Sequence, residues 1–439
     1  MPMTRTFRSF PIHDFESIKQ QMLHWSNQFS VCCFLDNNRY DSPLHTSECL
    51  LGAGINASTN TVPGKALAGL GAFMETHHDW IFGHLSYDLK NEIEGLQSSL
   101  PDLIGFPDLF FFVPEIVVIL DEHQVRIGTS GNDHEVIFES ILHQEWILKE
   151  PGRQQVNIQQ RIEKPAYLQT VQMLREHIRR GDCYEINFCQ EFYLPDITID
   201  PVEIFSKLTS LSPNPFSAYY KTGNRYLLCA SPERYLRKTG RQIISQPIKG
   251  TLHRVLANTE QDRIQKEKLL SSQKDRSENV MVVDLVRNDL SRVCMEGSVQ
   301  VDELFGIYSF PQVHQMISTV SGQLKKDATF TDIIRATFPM GSMTGAPKRK
   351  VMQLIEQYEK SRRGLFSGAV GYITPGGDFD FNVVIRSILY NAESRYLSFP
   401  TGSAITHYSD PEAEYAECML KGEAMRRVLE GESEIRNKK

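Results

Sequence analysis

The sequence has no long uninterrupted apolar segment of the kind that crosses a membrane. Its most apolar stretch, Leu109 to Leu120, is interrupted by Pro114 and Glu115, and it is shorter than the ~20 residues that a membrane helix needs. We therefore expect this stretch to form a buried strand. The first residues also lack the apolar core of a secretory signal. These absences predict a cytoplasmic protein without a membrane partner.

Cysteine pairs with the spacing of a metal or redox site are missing as well. The chain has eight cysteines, two of them adjacent at Cys32 and Cys33, and no two are separated by two residues. No Cys/His spacing suits zinc. Scattered thiols of this kind are typical of a reducing compartment.

Positive charge is sparse. The chain carries 54 acidic and 47 basic residues, with a formal net charge of −7, and its one dense basic cluster is Lys348 to Lys350. A mildly acidic chain without basic runs argues against nucleic acid as a partner.

The length of 439 residues allows two or three domains at roughly 100–200 residues each. The clearest change in composition is a polar stretch over residues 149–165, which has a proline near each side and suits a linker. We predict an N-terminal lobe over residues 1–155 and a longer region, richer in motifs, over residues 160–435.

Local patterns predict the elements of that second region. Apolar residues recur at helical spacing at Tyr167, Val171, Leu174 and Ile178, which predicts a helix. Gly181 follows and is suited to the helix end. Residues 183–193 alternate apolar and polar side chains and predict a strand. Helix starts are predicted at Asp275, Pro347 and Asp410, the last of these for the final helix. Without a regular strand–helix alternation, the expected fold class is α+β.

Two short motifs contain candidate catalytic side chains. Lys249 stands alone in the apolar segment SQPIKGT, and burial would lower its pKa and leave a nucleophilic amine. Glu233 in SPERY could serve as a general acid if burial raised its pKa. Taken singly, a solvated loop lysine and a surface turn explain these motifs better.

Acidic residues at helical spacing indicate an oxygen-rich metal site. Glu414, Glu417 and Lys421 share one helix face, and Glu278 lies at the edge of an apolar stripe on another helix. Three carboxylates from two helices would suit Mg²⁺. The alternatives are a solvated charged face and, for Glu278, a capping box with Asp275.

Two loops of small residues complete the candidates. Residues 341–348 read GSMTGAPK before a predicted helix, and backbone amides and hydroxyls there suit an anionic ligand. The spacing of a Walker A loop is absent. Residues 401–404, TGSA, are typical of a turn.

Together these motifs resemble the chorismate-utilising enzymes, a family that includes anthranilate, aminodeoxychorismate, isochorismate and salicylate synthases. The resemblance runs from about Tyr167 to Leu429 and includes SPERY, PIKGT, DRSENVMVVDLVRNDLSRV, FPMGSMTGAPKRKVMQLI, SGAVGYI, VVIRS and GSAITHYSDPEAEYAE. It implies an α+β chorismate-binding fold with antiparallel sheets flanked by helices.

The resemblance also implies roles for individual residues. Glu278 and Glu417 would bind Mg²⁺ directly, with Glu414 close by, and the metal would hold the ring carboxylate of chorismate. Glu233 matches the general acid, and His314 matches a histidine near the pyruvyl group. The remaining matches are substrate-binding positions: Thr344 and Lys421 at the ring carboxylate, and Tyr372, Arg386 and the backbone at Gly402 and Ser403 at the enolpyruvyl carboxylate.

Two positions indicate the branch of the family. Glu185 stands where water-adding members carry a lysine, so we expect neither isochorismate nor salicylate. Lys249, in PIKGT, stands where anthranilate synthases usually have alanine. The lysine resembles a nucleophile that attacks C2 of chorismate. The implied reaction joins chorismate and ammonia to form 4-amino-4-deoxychorismate, a precursor of para-aminobenzoate and folate.

Ammonia is expected from a separate glutamine amidotransferase subunit, because no recognisable glutaminase motif accompanies these features. Three alternatives remain from sequence. One is an anthranilate synthase large component. Another is a catalytically silent ligand-binding or regulatory homologue, which the presence of Glu233, Glu278 and Glu417 disfavours. The third is an enzyme of the family with a relaxed choice of nucleophile.

Overall fold

The structure is a computed structural model that describes residues 5–40, 47–62, 64–146, 156–310 and 313–431. Within these ranges the α-helices are α1 (Phe15–Ser26), α2 (Ala66–Thr76), α3 (Lys90–Glu94), α4 (His134–Leu142), α5 (Lys164–Arg179), α6 (Pro201–Leu211), α7 (Thr259–Ser271), α8 (Gln273–Val293), α9 (Phe330–Thr337), α10 (Lys348–Tyr358), α11 (Pro411–Lys421) and α12 (Glu423–Leu429). Short 3₁₀ turns cover Tyr87–Leu89 and Gly341–Met343.

The strands of the first half are β1 (Thr6–Pro11), β2 (Val31–Asp36), β3 (Cys49–Ala53), β4 (Ala57–Ser58), β5 (Ile81–Leu85), β6 (Leu109–Val113), β7 (Ile116–Leu120), β8 (Gln124–Thr129), β9 (Gln159–Gln160), β10 (Glu185–Leu194) and β11 (Phe216–Thr222). The strands of the second half are β12 (Arg225–Ser231), β13 (Arg234–Thr239), β14 (Gln242–Gln246), β15 (Ile248–His253), β16 (Gln300–Ser309), β17 (Val313–Gln323), β18 (Gly345–Ala346), β19 (Ala369–Ile373), β20 (Phe379–Asn382), β21 (Ser387–Asn391) and β22 (Tyr396–Ile405).

These strands form two large antiparallel sheets. The twelve-stranded sheet has the order β1-β8-β7-β3-β2-β11-β12-β21-β22-β10-β18, with β9 beside β10. The ten-stranded sheet has the order β15-β17-β14-β13-β20-β19-β5-β6-β4, with β16 beside β17. Antiparallel sheets with flanking helices confirm the predicted α+β class.

Both sheets combine strands from either side of the predicted 1–155/160–435 division. Strand β2 pairs with β11, and β5 pairs with β19. The predicted linker lies partly outside the described residues, and its last two positions begin α5. The two regions therefore share their sheets.

The apolar stretch Leu109–Leu120 forms two strands, so the prediction of one buried strand is wrong. Strand β6 belongs to the ten-stranded sheet and β7 to the twelve-stranded sheet. Pro114, between them, has no N–H to donate to a ladder. The chain therefore crosses from one sheet to the other at this proline.

The predicted helix and strand in the second region are confirmed. Helix α5 buries Tyr167, Val171 and Leu174, and Gly181 follows its end with φ of +82°, a conformation that glycine adopts at little cost. Strand β10 is buried on both faces, so its polar side chains lie inside the protein.

The predicted helix starts need small corrections. Helix α8 is capped by Ser272, whose hydroxyl accepts the N–H of Asp275, so Asp275 is not the cap. Pro347 precedes α10 by one residue. Asp410 caps α11 as predicted, but α12 follows, so α11 is not the last helix.

Alternating residues of the twelve-stranded sheet divide the core into two layers. Cys33 and Val117 face a cluster shared with Phe82 and Phe381 of the other sheet. Cys32 and Val118 belong to a cluster under the helices on the opposite face. No helix in the described ranges is both long and apolar enough to cross a bilayer.

Candidate active site

Lys249 is buried and paired with Glu185. The ladder between β15 and β17 is irregular from Ile248 to Thr251, and Gly250 has φ of +83° with Asp275 2.9 Å from where a Cβ would lie. At this kink, Lys249 Nζ donates to Glu185 Oε1 at 2.6 Å. The two residues are 7% and 2% exposed. The solvated-loop alternative for Lys249 is therefore wrong.

The charge of Lys249 also differs from the prediction. Burial by itself lowers the pKa of Lys249, but the carboxylates of Glu185, Glu278 and Glu233 outweigh burial and raise that pKa above its ordinary value. In the ligand-free protein Lys249 is an ammonium. The expectation that burial leaves a neutral amine is wrong, because three neighbouring carboxylates stabilise the charged form of Lys249. These carboxylates are distant in sequence, so the motif around Lys249 does not indicate them.

Glu233 has the properties of a proton donor. It lies between β12 and β13, is 4% exposed, and its carbonyl accepts the N–H of Val383 at 3.0 Å. Burial raises the pKa of Glu233 to about 7, while the positive charge of Lys249 acts in the opposite direction. A surface turn is therefore excluded, and the carboxyl group can hold a proton near neutral pH.

The three predicted metal ligands surround the ammonium group of Lys274. Nζ of Lys274 lies 3.1 Å from Glu414 Oε1, 3.6 Å from Glu417 Oε2 and 3.8 Å from Glu278 Oε1. Helix α8 supplies Lys274 and Glu278, and α11 supplies Glu414 and Glu417. Glu278 is 7% exposed and Glu414 is 1% exposed. This burial does not fit a capping-box role for Glu278 or a solvated helix face for Glu414.

The carboxylates of this cluster differ in acidity. Burial raises the pKa of Glu278 to about 7, with Glu185 adding to the shift and Lys249 opposing it. Burial also opposes ionisation of Glu417, but Lys421 and Lys274 outweigh it and lower the pKa of Glu417 to about 2. Near neutral pH, Glu417 is therefore ionised, whereas Glu278 is partly protonated.

The side chains fit a hard divalent cation. Glu278 Oε1 and Glu414 Oε2 are buried without a hydrogen-bond partner, which is costly for oxygens unless a cation binds them. Only oxygen ligands are present, as Mg²⁺ prefers. In the described part of the chain, no group of three or more His, Cys, Asp or Glu side chains already has the geometry to hold a metal ion.

Three substrate-binding candidates join this cluster. Lys421 Nζ lies 2.7 Å from Glu417 Oε1 and donates to the carbonyl of Gly402 at 3.0 Å. Arg386 Nη1 donates to the carbonyl of Lys421 at 3.4 Å. Burial lowers the pKa of Arg386 to about 10, and Glu417 opposes this shift. The cationic groups thus converge beside the carboxylates, as an anionic ligand requires.

The loop of residues 341–348 packs on β10 beside Glu185. A Cβ at Gly345 would lie 2.0 Å from the Glu185 carbonyl, so only glycine permits this approach. Thr344 is fully buried. Its hydroxyl donates to the carbonyl of Met340 at 3.0 Å, and its own carbonyl accepts the N–H of Asn187.

Residues 401–404 lie inside β22, so the expected turn is wrong. Gly402 pairs with Cys189 of β10, and a Cβ there would lie 2.4 Å from the Phe188 carbonyl. The small residues therefore allow two strands to approach closely. Ser403 Oγ lies 3.2 Å from the hydroxyl of Tyr167.

For two predicted site residues, the following contacts among the described residues lie away from this cluster. His314 has Asp262 3.0 Å from Nε2 and Ser309 2.9 Å from Nδ1. The ring of Tyr372 stacks on Trp80 with a centroid distance of 5.8 Å, and it lines a cavity whose lining contains no other predicted site residue. Their roles stay predictions.

The sequence motifs do not indicate two side chains that the structure brings to this site, Glu185 and Lys274. At position 185 the sequence shows only that a lysine is absent. Lys274 precedes Glu278 by four residues, a spacing at which helical side chains meet. The pairing of Glu185 with Lys249 spans 64 positions, and no local pattern reports it.

Comparison with known proteins identifies the family. Residues 54–427 match the model of the chorismate binding enzymes. The chain belongs to this family. The match extends across the predicted boundary between the two regions, in agreement with the shared sheets.

Similar relatives come from two branches. Aminodeoxychorismate synthase component 1 of Bacillus subtilis is 32% identical over 381 residues, covering 81% of this chain and 79% of the relative. Anthranilate synthase component 1 of Thermus thermophilus is 33% identical over 362 residues, covering 80% and 77%. The overall identities are nearly equal, so single site residues must distinguish the branches.

The fold is shared with solved structures of the family. Anthranilate synthase component I of Streptococcus pneumoniae superposes with a TM-score of 0.75 at 24% identity, covering 89% of this chain and 95% of the other. This likeness confirms the predicted chorismate-binding fold.

Proposed function

We propose that this protein combines chorismate with ammonia to form 4-amino-4-deoxychorismate. Family membership and relatives named aminodeoxychorismate synthase component 1 support an enzyme that acts on chorismate. The observation that supports the choice of branch is the buried Lys249 beside Glu185, because the Glu185 carboxylate can accept a proton from Nζ and so free the amine that the proposed reaction needs.

The chemistry assigns one task to each of three side chains. Lys249 first passes a proton to Glu185, the carboxylate hydrogen-bonded to its Nζ, and becomes a neutral amine. Nζ then bonds to C2 of the ring as the two conjugated ring double bonds shift, from C1=C2 to C1=C6 and from C5=C6 to C4=C5, and the C4–O bond breaks with its electron pair on oxygen. Glu233 donates its proton to the departing hydroxyl, which leaves as water.

The second half of the reaction releases the lysine. Ammonia bonds to C4, both ring double bonds shift back, and the C2–N bond breaks with its electron pair returning to Lys249. The new C4 ammonium group loses a proton to Glu233, and Glu185 returns its proton to Lys249. Lys421 and Arg386 supply positive charge for the substrate carboxylates. Glu278, Glu414 and Glu417 would hold Mg²⁺, which would neutralise and orient the ring carboxylate.

Product identification tests the proposed reaction. Chorismate, ammonium and Mg²⁺ should give one product with the mass and absorbance of 4-amino-4-deoxychorismate. Anthranilate as the main product would instead assign the protein to the branch of the Thermus relative. Isochorismate or salicylate would contradict the interpretation of Glu185.

Activity should fall as pH rises through about 7. The proposed acid must be protonated, and the pKa of Glu233 is about 7, so kcat/KM for chorismate, which reports the free enzyme, should have a descending limb there. The pKa of Glu278 is also about 7. Its ionisation should increase activity as pH rises, because the proposed metal ligand must be ionised. The profile is therefore measured at saturating Mg²⁺ and a constant concentration of free ammonia.

Glu233→Gln is the matched variant for this profile, since it keeps the shape of the side chain but cannot donate a proton. It should lose most activity, and its residual activity should lack the limb near pH 7. A limb of the same position in Glu233→Gln would exclude Glu233 as its source.

The purified chain should use ammonium salts but not glutamine. All eight cysteines are buried, and burial raises the pKa of each thiol, whereas glutamine hydrolysis by cysteine needs an accessible thiolate. We propose that a separate glutamine amidotransferase supplies ammonia. Adding it should create glutamine-dependent turnover, measured by product formation.

An amidotransferase inactivated by alkylation, and freed of reagent before mixing, is the control. It should leave ammonium-dependent turnover unchanged and restore none with glutamine. Glutamine-dependent turnover by the isolated chain would mean that the chain contains its own ammonia-releasing site.

A further inference from the structure

Lys274 occupies the centre of the carboxylate cluster (Glu278, Glu414 and Glu417). Its ammonium group lies within 3.8 Å of an oxygen of each carboxylate. Within the described residues, only Glu414 Oε1 accepts a hydrogen bond from it, at 3.1 Å. One side chain therefore holds together acidic groups from two helices.

This ammonium group satisfies the cluster only in part. Glu278 Oε1 and Glu414 Oε2 remain buried without hydrogen-bond partners. Lys421 also balances the charge of Glu417, because its Nζ lies 2.7 Å from Glu417 Oε1. Among the described residues, the ion pairs to these three carboxylates come from Lys274 and Lys421. A divalent cation at the position of Lys274 would add positive charge beside the two unpartnered oxygens.

Lys274 is placed so that it can leave. Its side chain is 47% exposed, whereas the side chain of Glu414 is 1% exposed. It lies in the first turn of α8, after the cap Ser272, where the helix dipole disfavours positive charge. The carboxylates hold Lys274 in place, and the adjacent solvent can receive it.

We propose that Lys274 is an internal counter-cation that gathers the three carboxylates in the metal-free protein and moves into solvent when Mg²⁺ binds. The inference rests on the proposed metal role of these carboxylates. Lys274 then competes with the metal: it stabilises the metal-free state and weakens the apparent affinity for Mg²⁺. Removing its charge should affect those two quantities in opposite directions.

Calorimetric titration of Mg²⁺ into the full chain, without chorismate, tests this competition. Lys274→Met should bind Mg²⁺ about fivefold more tightly than the wild type, as expected for loss of one partly exposed competing ion pair. Its melting temperature without Mg²⁺ should be lower, and saturating Mg²⁺ should raise it by more than in the wild type.

Two variants provide controls. Lys274→Arg keeps the charge and should retain affinity near that of the wild type. Lys268→Met removes an exposed lysine from α7 and should change neither quantity. Unchanged or weaker Mg²⁺ binding by Lys274→Met would overturn the inference while leaving the metal site intact.

Failure of the proposed metal role would look different. If the wild type bound no Mg²⁺ in the titration, the metal assignment of Glu278, Glu414 and Glu417 would fail, and the counter-cation role with it. Tight binding by the wild type that Lys274→Met does not strengthen overturns only the role of Lys274.

Discussion

Lys249→Ala should lower turnover of chorismate with ammonium on the order of a hundredfold, because direct attack of ammonia at C4 would replace a two-step covalent route. The residual rate should rise with ammonium concentration without saturating, since ammonia then reacts without the lysine. Initial rates over a range of ammonium concentrations measure both effects. Turnover equal to that of the wild type would exclude Lys249 as the nucleophile.

The control must separate lost chemistry from lost folding. Removing Lys249 leaves Glu185 buried and unpaired, and breaking a buried ion pair costs about 3–5 kcal/mol. Lys249→Arg keeps a positive charge beside Glu185 but cannot act as an amine nucleophile. It should fold like the wild type and be nearly as inactive as Lys249→Ala, whereas a purely structural lysine would tolerate arginine.

Glu278→Gln should reduce Mg²⁺-dependent turnover by at least about a hundredfold, because the amide carries no charge to hold the metal. Calorimetric titration should show loss of Mg²⁺ binding in parallel. Glu412→Gln is the matched control, since Glu412 lies on α11 beside the other ligands but is exposed and paired with Lys164. Mg²⁺ binding by Glu278→Gln equal to that of the wild type would exclude Glu278 as a ligand.

The same substitution should not destabilise the metal-free protein. Burial raises the pKa of Glu278 to about 7 in the folded state, from 4.5 in the unfolded chain. The folded state therefore loses stability as pH rises from about 4.5 to about 7. Glu278→Gln lacks this loss, so its melting temperature should fall less over that range. Inactivity of this variant cannot then be attributed to unfolding.

The sequence predicted the elements whose signals are local. Helix α5 follows from apolar spacing and a terminal glycine, and α11 follows from an Asp-Pro start. The split of Leu109–Leu120 between two sheets was missed because pairing partners decide it, and these lie far along the chain. Residues 401–404 were mistaken for a turn because small residues serve both turns and close strand contacts.

The candidate site was predictable in its residue types but not in its charges. The motifs supplied Lys249, Glu233 and the three carboxylates that we propose as metal ligands. The sign of the Lys249 pKa shift depends on Glu185, 64 positions earlier, so composition around Lys249 alone gave the wrong direction. The place of Lys274 among the carboxylates depends in the same way on how α8 meets α11.

The sharing of both sheets constrains the order in which the chain can fold during synthesis. Gly83 of β5 lies opposite Gly371 of β19, 288 positions further along, and β2 pairs with β11 more than 180 positions later. On the ribosome these strands emerge long before their partners, with hydrogen-bonding edges open, and such edges invite pairing with other chains. Strands in the first third of the protein therefore depend on strands in its last third to complete their sheet. Protection of the nascent chain from aggregation matters most until those later strands have been synthesised.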